Sequence, residues 1–210
     1  MQVLIIPVTP FQQNCSLIVC NTTKEAAVVD PGGDIDKILA QIEHTGAHVT
    51  QILLTHGHLD HAASAPELAA ALNDVPIIGP HIGDKFWLDG LDDQSKRFGF
   101  GHAKAFTPTH WLNDGDTVQV GNHIFNVIHC PGHTPGHVVF YSEQAKLAWV
   151  GDVLFQNSIG RTDFPQGNHA DLIRSIKEKL LPLGDDIQFV PGHGPTSTFG
   201  QERRHNPHLV

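Results

Sequence analysis

Short apolar runs separated by Pro, Asn and Gly dominate the first third of the chain. Runs of this kind, rich in Val and Ile and bounded by turn residues, predict β-strands. They cover residues 3–8, 16–20, 26–30 and 51–54. Between the last two runs, apolar residues recur at helical spacing, which predicts a helix over residues 35–44 with Asp34 as its N-cap.

The middle of the chain is less regular. Residues 62–72 predict a second helix, with Pro66 in its first turn, where a missing N–H is tolerated. Residues 81–109 mix aromatic side chains with glycines and charges. This segment predicts a short helix and a long loop, and we expect it to form one wall of a substrate cleft.

The strand pattern returns in the second half of the chain. Strands are predicted over residues 117–120, 124–129, 138–141, 147–150 and 188–190. A turn at Gly121-Asn122 joins the first two as a hairpin, and residues 170–181 predict an amphipathic helix.

The two parts of the chain therefore follow similar plans, with a boundary near residue 110. We expect one domain over residues 1–210, made of two related halves at about 1–110 and 111–210. Strands combined with helices that are apolar on one face predict an α/β fold. In this fold two sheets pack together and helices cover both outer faces. This αββα sandwich would bring residues of both halves together at one edge.

Composition narrows the class of protein. The 210 residues are 40% hydrophobic and 17% charged, which is ordinary for a globular protein. The formal net charge of −9 and the lack of Lys and Arg clusters disfavour nucleic acid as a partner. No apolar run approaches the roughly 18 residues of a membrane span. The pattern carries no indication of oligomeric state.

Three cysteines, an odd number without C-x-x-C spacing, indicate a reducing compartment. The N-terminus has no basic segment of the kind that opens a signal peptide, and Pro7 interrupts its apolar run. We therefore expect a cytoplasmic protein.

Candidate metal ligands are the strongest chemical signal. Residues 55–61 read THGHLDH and place three imidazoles and one carboxylate within seven positions. Three Gly-flanked candidates follow later in the chain, each just after a predicted strand. The full candidate set is His56, His58, Asp60, His61, His133, Asp152 and His193. Imidazole and carboxylate ligands without thiolate suit zinc or iron, and seven of them suffice for two ions.

The spacing within the first motif predicts how these ligands divide. In an extended turn, residues two apart project to the same side, so His56 and His58 can reach one ion together. Asp60 and His61 enter the following helix and turn toward a second ion. Two such ions can generate hydroxide near neutral pH and polarise a carbonyl. The pattern thus indicates a hydrolase, in which we expect Asp60 and Asp152 to be the catalytic carboxylates.

Other histidines fit structural roles. Those without a ligand partner at suitable spacing are His44, His48, His81, His102, His123, His205 and His208. His129 and His137 lie near His133 and are candidates for an indirect role, and Cys130 is predicted to be a small buried hydrophobe. A purely structural zinc site is closed by four ligands, often including Cys, so seven candidates without Cys disfavour it.

The order of these ligands resembles the metallo-β-lactamase superfamily. Four segments further resemble the short glyoxalase II-like thioesterases of that superfamily, over nearly the whole length of the chain. They are FQQNC at 11–15, PGHTPGH at 131–137, GRTDF at 160–164 and PGHGP at 191–195. The resemblance implies the αββα fold and a first ion held by His56, His58 and His133. It implies a second ion held by Asp60, His61 and His193, with Asp152 bridging the two.

The implied reaction is hydrolysis of an S-acylglutathione, such as S-D-lactoylglutathione, to D-lactate and glutathione. Two divalent ions are expected, with zinc first and iron or manganese as alternatives. Longer members of the family carry a C-terminal helical domain with basic glutathione contacts, which we do not expect in a chain that ends at Val210. Arg161 is the candidate for a substrate carboxylate, and its alternative role is an ion pair with an acid such as Asp163.

Other functions remain open at this point. A persulfide dioxygenase would use the same scaffold with one iron bound by two His and one Asp, and the ligand motifs do not separate it from a thioesterase. The GRTDF segment favours the thioesterase. The absence of an export signal disfavours β-lactam hydrolysis, and the absence of a basic surface disfavours a nuclease. A non-catalytic metal-binding module would leave open coordination positions without a role.

Overall fold

The computed structural model describes residues 1–101 and 103–210. The first of its two main sheets is built from the first part of the chain. Its strands are β1 Gln2–Val8, β2 Gln13–Val19, β3 Glu25–Val29, β4 His48–Leu53 and β5 Ile77–Ile78. They lie in the order β1-β2-β3-β4-β5, with antiparallel pairing from β1 to β3 and parallel pairing from β3 to β5.

The second main sheet is built from later residues. The strands of this part of the chain are β6 Thr117–Val120, β7 His123–His129, β8 Val138–Ser142, β9 Leu147–Gly151, β10 Leu154–Phe155, β11 Ser158–Ile159, β12 Gln188–Pro191 and β13 Ser197–Thr198. The sheet has the order β13-β12-β9-β8-β7-β6, and its β9–β12 pair is parallel. β10 and β11 form a separate small hairpin.

Helices connect and cover these sheets. They are α1 Ile35–Thr45, α2 Leu59–Ala62, α3 Ala65–Ala71, α4 Lys85–Asp89, α5 Leu91–Phe98, α6 His169–Arg174 and α7 Phe199–His205. A 3₁₀ turn over Ile82–Asp84 leads into α4. α6 continues through a π-helical segment over Ser175–Leu180 and a 3₁₀ turn over Leu181–Leu183.

A continuous apolar layer fills the space between the two sheets. Ile18 of β2 packs there in the same cluster as Phe125 of β7 and Trp149 of β9. The last two rings meet edge to face with centroids 5.6 Å apart. Burial of one large apolar side chain is worth about 1.5–3 kcal/mol. The central layer is therefore the main contact that joins the sheets.

Strand alternation places the helices on the outside. Because successive side chains of a strand point to opposite faces, Leu17 on β2 faces away from the central layer. It packs in a cluster with Ile38 of α1 and Leu68 of α3. On the other sheet, Val150 packs in a cluster with Leu172 of α6. The four layers confirm the predicted αββα sandwich.

The sequence predicted the longer strands and both amphipathic helices but not every element. The very short strands β5, β10, β11 and β13, and helix α7, were not predicted. The two-residue turn at Gly121-Asn122 is confirmed, and Gly121 has the positive φ of 55° that such a hairpin turn requires.

Two local predictions were wrong. Asp34 occupies the N-cap position of α1, but with φ 50° its side chain does not cap the helix. It accepts instead from the N–H of Thr9 at 3.0 Å and from Lys37 Nζ at 2.9 Å. The second is the start of the helix predicted over residues 62–72, because α2 ends at Ala62 and α3 begins at Ala65, with Pro66 in its first turn as predicted. Between them, the N–H of Ser64 donates outside the helix, to the carbonyl of Pro31 at 3.2 Å.

The segment 81–109 is more helical than predicted. It contains the 3₁₀ turn and two helices, α4 and α5, before an irregular stretch that begins at Gly99. His102 lies outside the described residues. A division of the chain into two related halves near residue 110 stays a prediction.

Candidate metal centre

The candidate ligands lie where strands of both sheets end. His56 and His58 follow β4, and His133 follows β7. Asp152 comes directly after β9, and His193 lies two residues after β12. Since β9 and β12 are parallel neighbours, their ends meet at the same edge of the second sheet. Rigid strand ends therefore hold most of the ligands.

Three imidazoles form the first ligand group. His56, His58 and His133 are buried, and one nitrogen of each lies within 4.8 Å of the others. Nδ1 of His58 is 2.9 Å from Nε2 of His133. Nε2 of His56 is buried and has no hydrogen-bond partner among the described residues. Three converging nitrogens of this kind suit a divalent ion with an open coordination position.

A carboxylate and two imidazoles form the second group. Asp60, His61 and His193 each offer one atom within 4.8 Å of the others. Oδ2 of Asp60 lies 3.1 Å from Nε2 of His193 and 3.8 Å from Nε2 of His61. Nε2 of His61 is fully buried and has no hydrogen-bond partner within the described part of the chain.

Asp152 lies between the two groups. Its Oδ1 is 3.4 Å from Nε2 of His61, which belongs to the second group. Its Oδ2 is 3.5 Å from Nε2 of His133, which belongs to the first, and 3.7 Å from Nε2 of His193. One carboxylate therefore faces both groups.

Backbone carbonyls orient two of the imidazoles. Nδ1–H of His133 donates to the carbonyl of Arg161 at 2.7 Å, and Nδ1–H of His193 donates to the carbonyl of Phe11 at 3.1 Å. Each of these bonds places a proton on Nδ1 and leaves Nε2, which faces the centre, as the atom that can bind a cation. Partners of this kind fix the tautomer and orientation of ligand histidines.

Asp30, at the end of β3, orients two more ligands. Its Oδ2 accepts from Nδ1–H of His61 at 2.9 Å and from the Thr55 hydroxyl at 2.6 Å. The hydroxyl oxygen in turn accepts from Nδ1–H of His56 at 3.0 Å. Asp30 also lies close enough to His56 and His61 to form a third possible ligand group. We assign it to positioning because its Oδ1 accepts from the N–H of Thr55 as well.

His137 contacts the centre indirectly. Its Nε2 accepts from the backbone N–H of Asp152 at 3.1 Å, and its ring stacks on His56 with centroids 4.7 Å apart. His137 therefore has the indirect placement that the sequence allowed for it. His129 instead donates to the carbonyl of Pro135 at 2.8 Å and holds the loop rather than a ligand.

Burial and charge set the protonation of the ligands. Burial lowers the pKa of His56, His58 and His133, so these rings are neutral near pH 7 and can bind a cation. Burial also acts to lower the pKa of His61, but the carboxylates of Asp152 and Asp60 outweigh it and raise that pKa well above its usual range. The proton on His61 thus partly neutralises the carboxylates of Asp152 and Asp60. A divalent cation bound between them would neutralise this negative charge more fully.

The chemistry of this donor set fits two divalent cations. Besides the imidazole nitrogens, Oδ1 of Asp152 is buried without a hydrogen-bond partner among the described residues. Burial acts to raise the pKa of Asp152, but His61 and the neighbouring imidazoles hold it well below the usual range. Burial of nitrogen and oxygen atoms that make no hydrogen bond, around an ionised carboxylate, costs folding free energy unless these atoms bind a cation.

Comparison with known families agrees with this geometry. Residues 8–200 match the family described as the metallo-beta-lactamase superfamily. The chain belongs to this superfamily. The match spans most of the chain and confirms the resemblance inferred from the ligand order.

Individual relatives match the chain over all or nearly all of its length. The hydroxyacylglutathione hydrolase GloC of Haemophilus influenzae is 48% identical over 210 residues, covering 100% of this chain and 98% of the relative. Among solved structures, the BLEG-1 B3 metallo-beta-lactamase has a TM-score of 0.91 at 36% identity, covering 100% of both chains. TTHA1623 in a di-iron-bound form has a TM-score of 0.89 at 36% identity, covering 98% of this chain and 100% of that one.

Aromatic side chains surround the centre of this superfamily member. The rings of Trp87 and Phe164 meet His58 edge on, with centroids 4.5 and 4.8 Å away. On the side of His193, Phe155 lies 6.4 Å from that ring, and Phe11 is 50% exposed. Trp87 belongs to the segment predicted to form a cleft wall, and it lies against a candidate ligand.

Arg161 adopts the alternative role that the sequence allowed. Its guanidinium makes two hydrogen bonds of 2.6 Å to Asp163 and lies 4.4 Å from the centroid of Phe164. Both charged side chains are more than 60% exposed.

The remaining predictions concern residues away from the centre. Cys130 is a buried hydrophobe as predicted, and burial raises the pKa of its thiol to about 12. The described histidines predicted to lie away from the ions belong to none of the ligand groups; they are His44, His48, His81, His123, His205 and His208. Within the described residues, no helix combines the length and apolar character needed to cross a bilayer.

Proposed function

We propose that this chain hydrolyses S-acylglutathione thioesters, with S-D-lactoylglutathione as the substrate and D-lactate and glutathione as products. The observation that carries the proposal is the position of Asp152, whose two oxygens face two separate ligand groups. The full-length similarity to a protein named hydroxyacylglutathione hydrolase supports the choice of substrate. The superfamily match supports hydrolysis as the reaction class.

We propose two divalent cations, the first held by His56, His58 and His133 and the second by Asp60, His61 and His193. Asp152 would contact both. Bound cations would lower the pKa of water toward 7 and polarise the thioester carbonyl. We assign zinc on ligand chemistry. The di-iron form of TTHA1623 supports iron as the alternative, and manganese is a third possibility.

We assign separate roles in the reaction to three side chains, those of Asp152, Asp60 and Arg161. Asp152 is nearly enclosed and would fix the spacing of the two ligand groups. The Asp60 side chain is 19% exposed, so it reaches water, and we assign it the proton released when water adds to the acyl carbon. The carbon–sulfur bond then breaks, and the thiol leaves with a proton. Arg161 would bind a substrate carboxylate after exchange with Asp163.

A second candidate is β-lactam hydrolysis, which the 36% identity and full coverage of BLEG-1 favour. The same ligand groups would serve both reactions, so the substrate distinguishes them. No observation favours the persulfide dioxygenase. A single iron bound by two His and one Asp would leave the second ligand group without a function.

The test combines metal analysis with substrate assays on the purified protein. We expect two cations per chain and release of free thiol from S-D-lactoylglutathione. Hydrolysis of a chromogenic cephalosporin without thiol release would favour the second candidate. Oxygen uptake with glutathione persulfide, again without thiol release, would favour the dioxygenase.

Ligand variants test the site itself. His58→Ala and Asp152→Ala should each reduce turnover by more than about 100-fold, the upper range for changes of residues that only support a ligand. The matched control is His44→Ala, which removes a histidine outside the ligand groups. Circular dichroism should show that all three variants are folded. Full activity in both ligand variants would contradict the assigned site.

We also propose that the protein works in the cytoplasm on a small-molecule thioester, without nucleic acid or membrane as partners. All three cysteines are free and buried, which supports a reducing compartment. Measurement of thiol content in protein purified without reductant tests this assignment, because three free thiols per chain are expected.

A further inference from the structure

Asp84 is a fully buried carboxylate outside the two ligand groups. Its Oδ2 accepts from the backbone N–H of Gly57 at 2.8 Å and from the Thr134 hydroxyl at 2.8 Å. Its Oδ1 accepts from the N–H of Gly136 at 2.5 Å. Gly57 lies between His56 and His58, and Thr134 directly follows His133. One side chain therefore joins the two loops that supply the first ligand group.

The packing around Asp84 leaves little freedom for these loops. A methyl group at Gly57 would lie 2.8 Å from Cβ of Trp87 and 3.3 Å from Cβ of Asp84. One at Gly136 would lie 2.4 Å from the backbone nitrogen of Asp84. In addition, the N–H of His81 donates to the carbonyl of Gly136 at 3.0 Å. The segment from His81 to Trp87 thus packs directly against the backbone of both loops.

The burial of this carboxylate is not compensated by a cation. Among the described residues, Asp84 has no Lys or Arg partner, and its three hydrogen bonds come from neutral donors. Burial raises its pKa to about 6. A buried carboxylate without an ion pair costs folding free energy, so its presence here points to a function other than stability.

We propose that Asp84 is a positioning residue that sets the distance between the His56–His58 loop and His133, and thereby the affinity of the first ligand group for its cation. The proposal rests on the ligand groups assigned above. Both oxygens of Asp84 face donors only, so an amide cannot replace the carboxylate. In Asp84→Asn, the NH₂ group would face either the N–H of Gly57 or that of Gly136.

Titration of the cation-free protein with Co²⁺, followed by its visible absorption, tests the proposal without using turnover. In Asp84→Asn we expect affinity at the first group to fall roughly 10- to 100-fold, the usual effect of losing a ligand-supporting contact. Affinity at the second group should stay within threefold of the wild type. The added substitution His193→Ala, which removes a ligand of the second group, identifies which ion remains. Asp89→Asn is the matched control, because that acid is exposed and forms an ion pair with Lys85, away from both ligand loops.

A milder variant covers the case in which Asp84→Asn does not fold. Thr134→Val removes one of the three donors and keeps the carboxylate, and we expect a smaller loss at the first group alone. Equal losses at both groups, or wild-type affinity at both, would overturn the proposal in either variant. If Co²⁺ binds as expected but thioester hydrolysis is absent, the proposed function fails and the role of Asp84 stands.

Discussion

The backbone carbonyl of Arg161 accepts the Nδ1–H of His133 at 2.7 Å, whereas the guanidinium of Arg161 pairs with Asp163. The same residue therefore supports a candidate ligand through its backbone and presents its charge at the surface through its side chain. Since any residue at this position supplies a carbonyl, the two contributions can be separated by substitution of the side chain.

Arg161→Ala should leave metal affinity within threefold of the wild type, because the carbonyl remains. If the guanidinium binds a substrate carboxylate, KM for S-D-lactoylglutathione should rise about tenfold with kcat unchanged, as expected for loss of a uniform binding contact. Asp163→Ala is the control, since it frees the guanidinium and should not raise KM. An unchanged KM in Arg161→Ala would remove this side chain from substrate binding.

Asp30→Asn should weaken cation binding by the second ligand group. Asp30 accepts from Nδ1–H of His61, and an amide in its place can present NH₂ to that ring and allow the wrong tautomer. We expect a roughly 10- to 100-fold loss of affinity at the second group, measured by Co²⁺ titration. Asp36→Asn, which changes an acid in the first turn of α1, is the control. Wild-type affinity in Asp30→Asn would show that the contact is dispensable.

Gly192→Ala should displace the carboxylate of Asp152 by steric contact alone. A methyl group there would lie 2.0 Å from Oδ1 of Asp152 and 2.7 Å from Cε1 of His61, so both must move. We expect more than a tenfold loss of cation affinity. In Gly194→Ala the methyl group meets nothing within 4 Å, but φ is 76°. This control should lose about 1–2 kcal/mol of stability and keep its cations. Equal cation affinity in the two variants would contradict the prediction.

The raised pKa of Asp84 predicts that the free energy of unfolding depends on pH. Because burial raises its pKa from 3.8 to about 6, the folded state binds this proton more tightly than the unfolded state. The resulting stabilisation is complete below about pH 4 and is lost as the pH rises through about 6. It amounts to about 3 kcal/mol.

The measurement is urea unfolding of the cation-free wild type and Asp84→Asn between pH 4 and 7. The free energy of unfolding of the wild type, relative to the variant, should fall across this range. Titrations common to both proteins cancel in the difference. A difference that is constant, or that increases with pH, would show that the carboxylate is not destabilised by burial.

The elements that the sequence predicted well are those with a local signal. Alternation within each strand decides which side chains face the helices and which face the other sheet, as Leu17 and Ile18 show. Ligand type and the spacing THGHLDH are also local, which is why the candidate ligands were recognisable one by one.

Other features have no local signal. β5 has two residues, too few to show the alternation of apolar and polar side chains that predicts a strand. Asp34 was predicted to cap α1, but its contact with Thr9, 25 positions away, holds it in another conformation. Asp30 and Asp84 look like ordinary acids in the sequence. They acquire their roles from donors 31 and 52 positions away, at His61 and Gly136.

The sequence by itself determined the sandwich and the seven candidate ligands, because side-chain periodicity and donor chemistry depend on neighbouring residues. The tertiary structure alone decided that Asp152 lies between the two ligand groups, and which carbonyls and carboxylates orient the rings. Those assignments depend on which buried donor meets which buried acceptor across two packed sheets. Such pairing is a property of distances in space rather than of spacing along the chain.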